Sequence, residues 1–394
     1  MSFEKFAFHP FIKAGISSAG YTTPTPIQDR TIQPVLDGRD VLGLAQTGTG
    51  KTAAFVLPIL QKLMRGPRGR ARALILSPTR ELAEQTNSVI KVLGRKTGAH
   101  SVSVYGGVSA GPQIKMLRGG AEIIVACPGR LLDLMGQRVV NLSSIDFLVI
   151  DEADMMFDMG FMPDIRRIVG ALPVDRQNLL FSATMPSEIR SLTMEMLNNP
   201  VTVDIGASHP VETIQQTVYS VEQEAKFSTL MGLLSQTGSG QVLVFTRTKY
   251  RAQKLAMQLA QAGISATSLQ GNLSQNQRQA AMKSFRSGRV QVMVATDIAA
   301  RGIDVTQISH VINYDVPDTA DAYTHRIGRT GRMERDGTAF TLATRADLPM
   351  IRSIERMIGR PLKHFKANGD EVAPPSHRGQ PKPNYSRRPV PAQR

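Results

Sequence analysis

Eight consecutive residues, Ala45-Gln46-Thr47-Gly48-Thr49-Gly50-Lys51-Thr52, have the types and the order of a phosphate cradle. Glycines let backbone N–H groups crowd around phosphate oxygens. Lys51 can reach the β- and γ-phosphates, and the Thr52 hydroxyl can ligate Mg²⁺. Ala45 stands where the general pattern often has glycine, which a small residue permits. A second string, Asp151-Glu152-Ala153-Asp154, ends the apolar run 145–150. Two carboxylates at a strand end supply a metal-holding Asp151 and a base, Glu152, for an attacking water. Together the strings predict a nucleoside triphosphate held by Gln46, Thr47, Gly48, Thr49, Gly50, Lys51 and Thr52. The rival reading is a glycine turn and a solvated acidic loop.

Such strings need rigid elements beneath them. Val41–Leu44 precedes the cradle, and Ala73–Leu76, Ile123–Ala126, Phe147–Ile150 and 178–181 read as buried parallel strands. They are short, continuous and bounded by turn residues. Helical stretches such as Arg80–Leu93 and 164–171 lie between them, a rhythm that predicts an α/β doubly wound sheet. The rhythm begins again with strands at Gln241–Phe245, 290–294 and 310–313, and with a helix at 249–262 that turns Leu255 and Leu259 to one face. The second unit has no phosphate cradle. Periodicity lapses at 204–210, where Gly, Ser and Pro cluster. The expected domains are therefore 1–205 and 213–360, joined by a linker at 206–212. From Pro361 onward prolines mix with basic residues. Seven Lys+Arg against two Asp+Glu give 361–394 a net charge of +5 (7 − 2), the pattern of a disordered basic tail. The tail reads as an auxiliary polyanion-binding arm or as a solubilising extension.

The chain has 394 residues, which suits two domains, and 41% hydrophobic content, enough for two cores. Lys+Arg is 47 against Asp+Glu 32, a formal charge of +15, and such an excess favours a polyanionic partner, nucleic acid or an anionic surface. No apolar run reaches the ~18–20 residues of a membrane span. The first residues lack the layout of a signal peptide. One cysteine, Cys127, excludes an internal disulfide and fits a cytoplasmic location. Nothing has zinc-ligand spacing, so no structural metal is expected.

The strand-end loops carry further short strings in order. Gly20-Tyr21-Thr22-Thr23-Pro24-Thr25-Pro26-Ile27-Gln28 precedes the cradle. Pro78-Thr79-Arg80-Glu81-Leu82, Gly106-Gly107 and Cys127-Pro128-Gly129-Arg130 precede the acidic string, and Ser182-Ala183-Thr184 follows it. The second unit has Phe245-Thr246-Arg247-Thr248, Gln277-Arg278, Ala295-Thr296-Asp297, Arg301-Gly302-Ile303-Asp304 and His325-Arg326-Ile327-Gly328-Arg329-Thr330-Gly331-Arg332. This set resembles the DEAD-box ATP-dependent RNA helicases over roughly residues 3 to 345. The Met1-Ser2-Phe3 start and the short basic tail resemble the bacterial RhlE-type subgroup.

The resemblance implies two tandem P-loop (RecA-like) domains, with ATP and Mg²⁺ between them and single-stranded RNA across both. It implies adenine reading by Gln28, with Phe3 and Tyr21 packing nearby. The amide of Gln28 suits that task, since it donates and accepts at once. Lys51, Asp151 and Glu152 would be catalytic. Arg329 and Arg332, three apart and on one face if that loop continues into a helix, resemble arginine fingers. Asp304 would hold the ribose. Ser182 and Thr184 would couple the domains, and His325 would bridge to Asp154. Thr79, Arg80, Gly106, Gly107, Gly129 and Arg130 would grip RNA from the first domain, and Arg247, Gly271, Arg278, Thr296 and Gly302 from the second. Backbone contacts of this kind read little sequence. Two departures are Cys127, where threonine is usual, and Gln270, where histidine is common. The activity implied is ATP-driven local strand separation or ribonucleoprotein remodelling. The alternatives are a DNA helicase and an RNA-binding or annealing protein with weak ATPase. Ribosomal particles and RNA-decay proteins are candidate partners by family analogy, and no membrane role is implied.

Overall fold

The computed structural model describes residues 2–46, 48–205, 214–300, 307–331, 337–366 and 370–372. Two sheets organise them. The first contains β1 (Val41–Leu44), β2 (Ala73–Leu76), β3 (Ser101–Val104), β4 (Ile123–Ala126), β5 (Phe147–Ile150), β6 (Gln177–Ser182) and β7 (Val201–Asp204). Their order is β3-β4-β2-β5-β6-β1-β7, and every pairing is parallel. Helices cover both faces, so the central strands are buried along their length and read as unbroken apolar runs. Two cores result, one on each face of the sheet. Phe55, Ile75 and Phe181 belong to one, and Leu76, Leu148 and Leu180 to the other.

The second sheet contains β8 (Ile214–Ser220), β9 (Gln241–Phe245), β10 (Ala266–Leu269), β11 (Val292–Ala295), β12 (Ile308–Asn313), β13 (Gly337–Ala343), β14 (Lys363–Lys366) and β15 (Glu371–Val372). Their order is β10-β11-β9-β12-β13-β8-β14-β15, with β15 alone antiparallel to its neighbour. Both sheets are thus of the expected doubly wound α/β class.

Several boundaries differ from the sequence reading. The strand expected at 290–294 begins at Val292, because the Val290 N–H bonds Ser284 O and closes the end of the preceding helix. The helix expected at 164–171 is Met162–Val169. The tail expected from Pro361 starts later. β14 pairs parallel with β8, from Lys363 opposite Thr217 to Lys366 opposite Ser220. Leu362 is buried in the second-domain core, Phe365 stacks on Tyr219 with ring centroids 5.7 Å apart, and His364 Nε2 lies 3.2 Å from Glu355 Oε1. Leu362 and His364 are buried and Phe365 is partly buried against the sheet, and that outweighs the polar composition that follows. The linker 206–212 and the remaining tail, 373–394, lie outside the described residues.

Candidate functional site

The strand order β5-β6-β1 sets the acidic string, Ser182-Ala183-Thr184 and the phosphate cradle side by side at one sheet edge. The cradle ends on the helix Lys51–Leu63, with Gly50 as its cap at φ 93°. That helix start offers unpaired N–H groups and the positive end of a dipole. Thr49 Oγ1 donates to Gln46 O at 2.8 Å and fixes the turn. Only glycine suits position 50, because a Cβ there would lie 2.5 Å from Gln28 Nε2 and φ is positive. Gln28 is buried. Its Nε2 donates to Gly50 O at 3.1 Å, and its Oε1 accepts from Thr25 N at 3.0 Å. A primary amide has two N–H groups and two lone pairs, so one of each is left for an adenine edge. Tyr21 is half-buried and stacks on Phe3, centroids 6.5 Å apart; Phe3 is itself sunk in the core, so of the two rings Tyr21 presents the open face. Thr52 is half-buried in the first helical turn, and Thr47 lies outside the described residues.

Lys51 is buried and ion-paired with Glu152, Nζ to Oε1 at 2.8 Å, and it donates to Ala45 O at 2.9 Å. Burial pulls its pKa down, but Glu152, Asp151 and Asp154 outweigh burial and hold it above the ordinary value. Asp151 is pushed up to about 7, by burial first, against the opposing pull of Lys51 and with Glu152 adding to the rise. Its Oδ1 is buried and has no hydrogen-bond partner. An orphaned carboxylate oxygen close to a hydroxyl-bearing helix start fits a hydrated Mg²⁺, which keeps several waters and takes one or two carboxylates. Among the described residues no cluster of three His, Cys, Asp or Glu could hold a metal by itself. Glu152 adopts left-handed backbone, φ 57°. Non-glycine residues visit that region at a cost and cluster there at functional sites.

Asp154 is buried and wholly engaged within the first domain. Its Oδ2 accepts from Ala183 N at 3.1 Å, Thr184 N at 2.9 Å and Thr184 Oγ1 at 3.0 Å. Ser182 Oγ accepts from Asp154 N at 3.2 Å and donates to Thr184 O at 2.7 Å. The coupling string is therefore wired to the acidic string directly. His325 instead shares a small cavity with Phe245, Asp297, Arg326 and Arg329 in the second domain. The helix Ala320–Ile327 stops before Arg329, whose N–H bonds Arg326 O in a turn at 3.1 Å. Arg329 is buried. Arg332, Gly302 and Asp304 lie outside the described residues.

The RNA-side candidates sit at the ends of parallel strands. Thr79 and Arg80 follow β2, Gly106 and Gly107 follow β3, and Gly129 and Arg130 follow β4. Arg247 follows β9, Gly271 follows β10 and Thr296 follows β11. Thr79 caps its helix by accepting from Leu82 N at 3.3 Å, and the Arg80 guanidinium lies where a Cβ on Gly107 would be. Arg130 Nη2 donates to Val108 O at 3.2 Å, while its buried Nη1 has no partner. Arg247 lies 3.3 Å from Asp318 and 3.9 Å from Asp347. The two domains meet through these residues. Arg80 Nη1 donates to Gln275 Oε1 at 3.0 Å, and Arg278 Nη2 lies 2.7 Å from Glu81 Oε1.

Residues 25–192 match the model of the DEAD/DEAH box helicase family, and 225–334 match the helicase conserved C-terminal domain. The chain is 40% identical over 369 residues to the DEAD-box ATP-dependent RNA helicase CshA of Bacillus licheniformis, a match spanning 93% of this chain and 75% of that protein. The chain belongs to the DEAD-box helicase family. It is also 42% identical over 345 residues to the RNA helicase CrhR of Synechocystis, covering 87% of this chain and 70% of that one. Among solved structures, S. cerevisiae Dbp5 bound to RNA and ADP BeF3 aligns with TM-score 0.84 and 32% identity, over 93% of this chain and 96% of that one. The RhlE-type resemblance of the start and tail finds no support in these matches.

Within this DEAD-box chain the two departures have local consequences. Cys127 caps the helix Pro128–Gly136 without a side-chain bond, and burial pushes its thiol up to about 12, so it stays protonated and is no nucleophile at neutral pH. Gln270 Oε1 accepts from Asn272 N at 2.5 Å and so shapes the Gly271 turn. Sequence reasoning missed Glu81, Gln275 and Arg326. Glu81 lies inside a quoted string, and Gln275 stands three residues before Arg278 on one helix, a spacing that sets both on one face. Arg326 is buried. It forks onto Asp297 at 2.5 and 2.7 Å, donates to Asp315 O at 2.6 Å, and sits 5.0 Å over the Phe245 ring.

Proposed function

We propose that this chain is an ATP-dependent RNA helicase in which two domains, roughly 1–205 and 214–372, close on ATP and RNA together. The observation that carries the proposal is that one short acidic loop holds both ligand and coupling contacts: Glu152 ion-pairs with the cradle Lys51, and Asp154, two residues on, bonds Ser182 and Thr184. A nucleotide in the cradle competes for the Lys51 ammonium and so releases Glu152 to orient and deprotonate the attacking water. Asp151 Oδ1 and the Thr52 hydroxyl would hold Mg²⁺, which neutralises phosphate charge when bound. Arg329 and Arg332 reach the γ-phosphate from the second domain, and Asp304 takes the ribose. Gln28 reads adenine beside Tyr21.

RNA is gripped through its backbone by Thr79, Arg80, Gly106, Gly107, Gly129 and Arg130 on one side, and by Arg247, Gly271, Arg278, Thr296 and Gly302 on the other. Ligands that bind the closed state better than the open one drive closure, and release reopens the cleft. His325 would bridge to Asp154 across the closed cleft. Among the described residues no helix is long and apolar enough to cross a membrane. A cytoplasmic site of action, on ribosomal or decaying RNA, agrees with the single cysteine and the basic charge. The test is ATP turnover with RNA, with DNA and with neither, read beside unwinding of a short RNA duplex. RNA should stimulate both, and equal turnover in all three would remove the reading.

A further inference from the structure

The strands that present RNA grippers at their C-terminal ends carry arginine-rich loops at the opposite ends. β3, β4 and β2 are consecutive neighbours at one side of the first sheet. The segments that run into their N-terminal ends hold Arg65, Arg68, Arg70 and Arg72 before β2, Arg95 and Lys96 before β3, and Lys115 and Arg118 before β4. Against these eight cations the same segments, 65–72, 94–100 and 115–122, hold the single carboxylate of Glu122, a local excess of +7 (8 − 1). Asp146, entering β5, adds one more carboxylate beside Arg72. Farther along the same edge, Asp37, Asp40 and Asp175 stand against Arg39 and Arg176, three carboxylates to two guanidiniums, so the excess lies on the β3-β4-β2 side.

The loops are held together as one surface. Buried Glu122 accepts from Arg68 Nη1 at 3.2 Å and from His100 N at 3.1 Å, while Arg68 Nη2 donates to Thr97 O at 2.9 Å. Glu122 O accepts from Arg72 N at 2.8 Å, and Arg72 Nε lies 2.7 Å from Asp146. A Cβ on Gly120 would be 2.9 Å from the Gly69 Cα, so two of the loops touch through bare backbone. The acidic groups are thereby spent on Arg68 and Arg72. Arg65, Arg70, Arg95, Lys96, Lys115 and Arg118 are exposed, and no carboxylate partners them among the described residues. Such a set costs self-repulsion unless a polyanion covers it.

We infer that this basic edge is a second RNA-binding surface of the first domain, which takes the phosphate backbone of strand leaving the cleft. It rests on the helicase reading above. Two helices connect the faces: Arg80–Leu93 starts at the gripping face and ends at the Arg95 loop, and Gly111–Arg118 starts beside Gly107 and ends at Arg118. A helix of 14 residues is about 20 Å long, and the exposed Lys91, Lys115 and Arg118 mark that path. Strand already held by the grippers meets the edge at high effective concentration, which favours RNA over an acidic protein that must find the edge unaided. The patch has no exposed aromatic residue, so it holds phosphate without reading bases.

The test is a full-length variant with Arg65→Ala, Arg70→Ala, Arg95→Ala and Lys96→Ala, beside a control carrying Lys at the three arginine positions. Two single-stranded RNAs are titrated, one of about 8 nucleotides that fills the cleft and one of about 40 that can turn the edge. The alanine variant should bind the long RNA roughly 10-fold more weakly, with a salt slope shallower by up to about 3, since a phosphate contact on single strands contributes about 0.7. Short-RNA affinity and ATP turnover at saturating short RNA should not move, and the lysine control should bind as the parent does. An unchanged ratio of long- to short-RNA affinity, or an unchanged salt slope, overturns the proposal. So does a variant that keeps its long-RNA affinity but no longer binds anionic vesicles or polyglutamate. Absent RNA stimulation in the parent itself would overturn the helicase reading instead, so the two failures are separable.

Discussion

Glu152 unites a strained backbone, a buried carboxylate and an ion pair with the cradle lysine. Three stabilising or destabilising features at one residue are expected where chemistry is done, because the surrounding structure must enforce a conformation the chain would otherwise leave. Replacing the carboxylate by an amide keeps shape and hydrogen bonding but removes the base. Glu152→Gln should therefore bind ATP nearly as the parent does and hydrolyse it about 10²–10³-fold more slowly; single-turnover hydrolysis measures this, and near-normal turnover would show that another group activates the water. Gly50 limits the site in a different way. A methyl group at position 50 meets Gln28 Nε2 at 2.5 Å and opposes the positive φ. Gly50→Ala should push the Gln28 amide out of register and weaken ATP binding by roughly 10-fold, about 1.4 kcal/mol, with RNA affinity in the absence of nucleotide unchanged. Loss of selectivity for ATP over other triphosphates in a competition titration is the signature that separates a displaced Gln28 from a general loosening of the cradle.

Between residues and the whole lie the elements, and there β14 changes the expectation for the C-terminal end. Lys363–Lys366 pairs with β8, and Leu362 is buried, so a chain ending at Arg360 leaves an open strand edge and a gap in the core. Truncation at Arg360 should destabilise the second domain by about 2–4 kcal/mol, the scale of losing a large buried side chain, and calorimetry should show its transition fall while that of the first domain holds. Truncation after Val372 should leave both transitions in place and act only through charge, by flattening the dependence of RNA affinity on salt. Equal melting of the two truncated chains would deny β14 this role. The same contrast explains what could be read in advance. β2, β4, β5 and β9 are buried on both faces, so unbroken apolar runs announced them. β3, with Ser101 and Ser103 alternating with valines, and the edge strand β10, with Thr267 and Ser268, give no such run. β14 lies in composition dominated by the proline-rich residues after it. The strings at strand ends were legible because phosphate and carboxylate chemistry fixes residue type. Their partners were not: Asp154 bonding Thr184, or Arg326 forking onto Asp297, joins loops that only strand order brings together.

For the whole molecule, the question is how the cleft knows that both ligands are present. Glu81 and Arg278 lie 197 residues apart in the chain, and Arg80 and Gln275 lie 195 apart, yet each pair bonds across the interface beside the loops proposed to grip RNA. Both members of the Glu81–Arg278 pair are largely buried, with side chains 14% and 13% exposed, so the pair is screened less than a surface bridge. Arg278 thus has two possible tasks, holding phosphate and holding the first domain, and single substitutions confound them. A double-mutant cycle separates the two. Glu81→Ala should weaken RNA binding in the presence of a non-hydrolysable ATP analogue while leaving nucleotide-free RNA binding unchanged, because Glu81 acts only when the domains meet. Arg278→Ala should weaken both. If the pair ties the domains, the two losses with analogue bound are less than additive, with a coupling of roughly 1 kcal/mol. If Arg278 serves phosphate alone, the losses add and Glu81→Ala is silent. Reversal of the pair, Glu81→Arg with Arg278→Glu, should recover part of the analogue-dependent affinity but none of the nucleotide-free contact, since the cation then sits on the other side of the cleft.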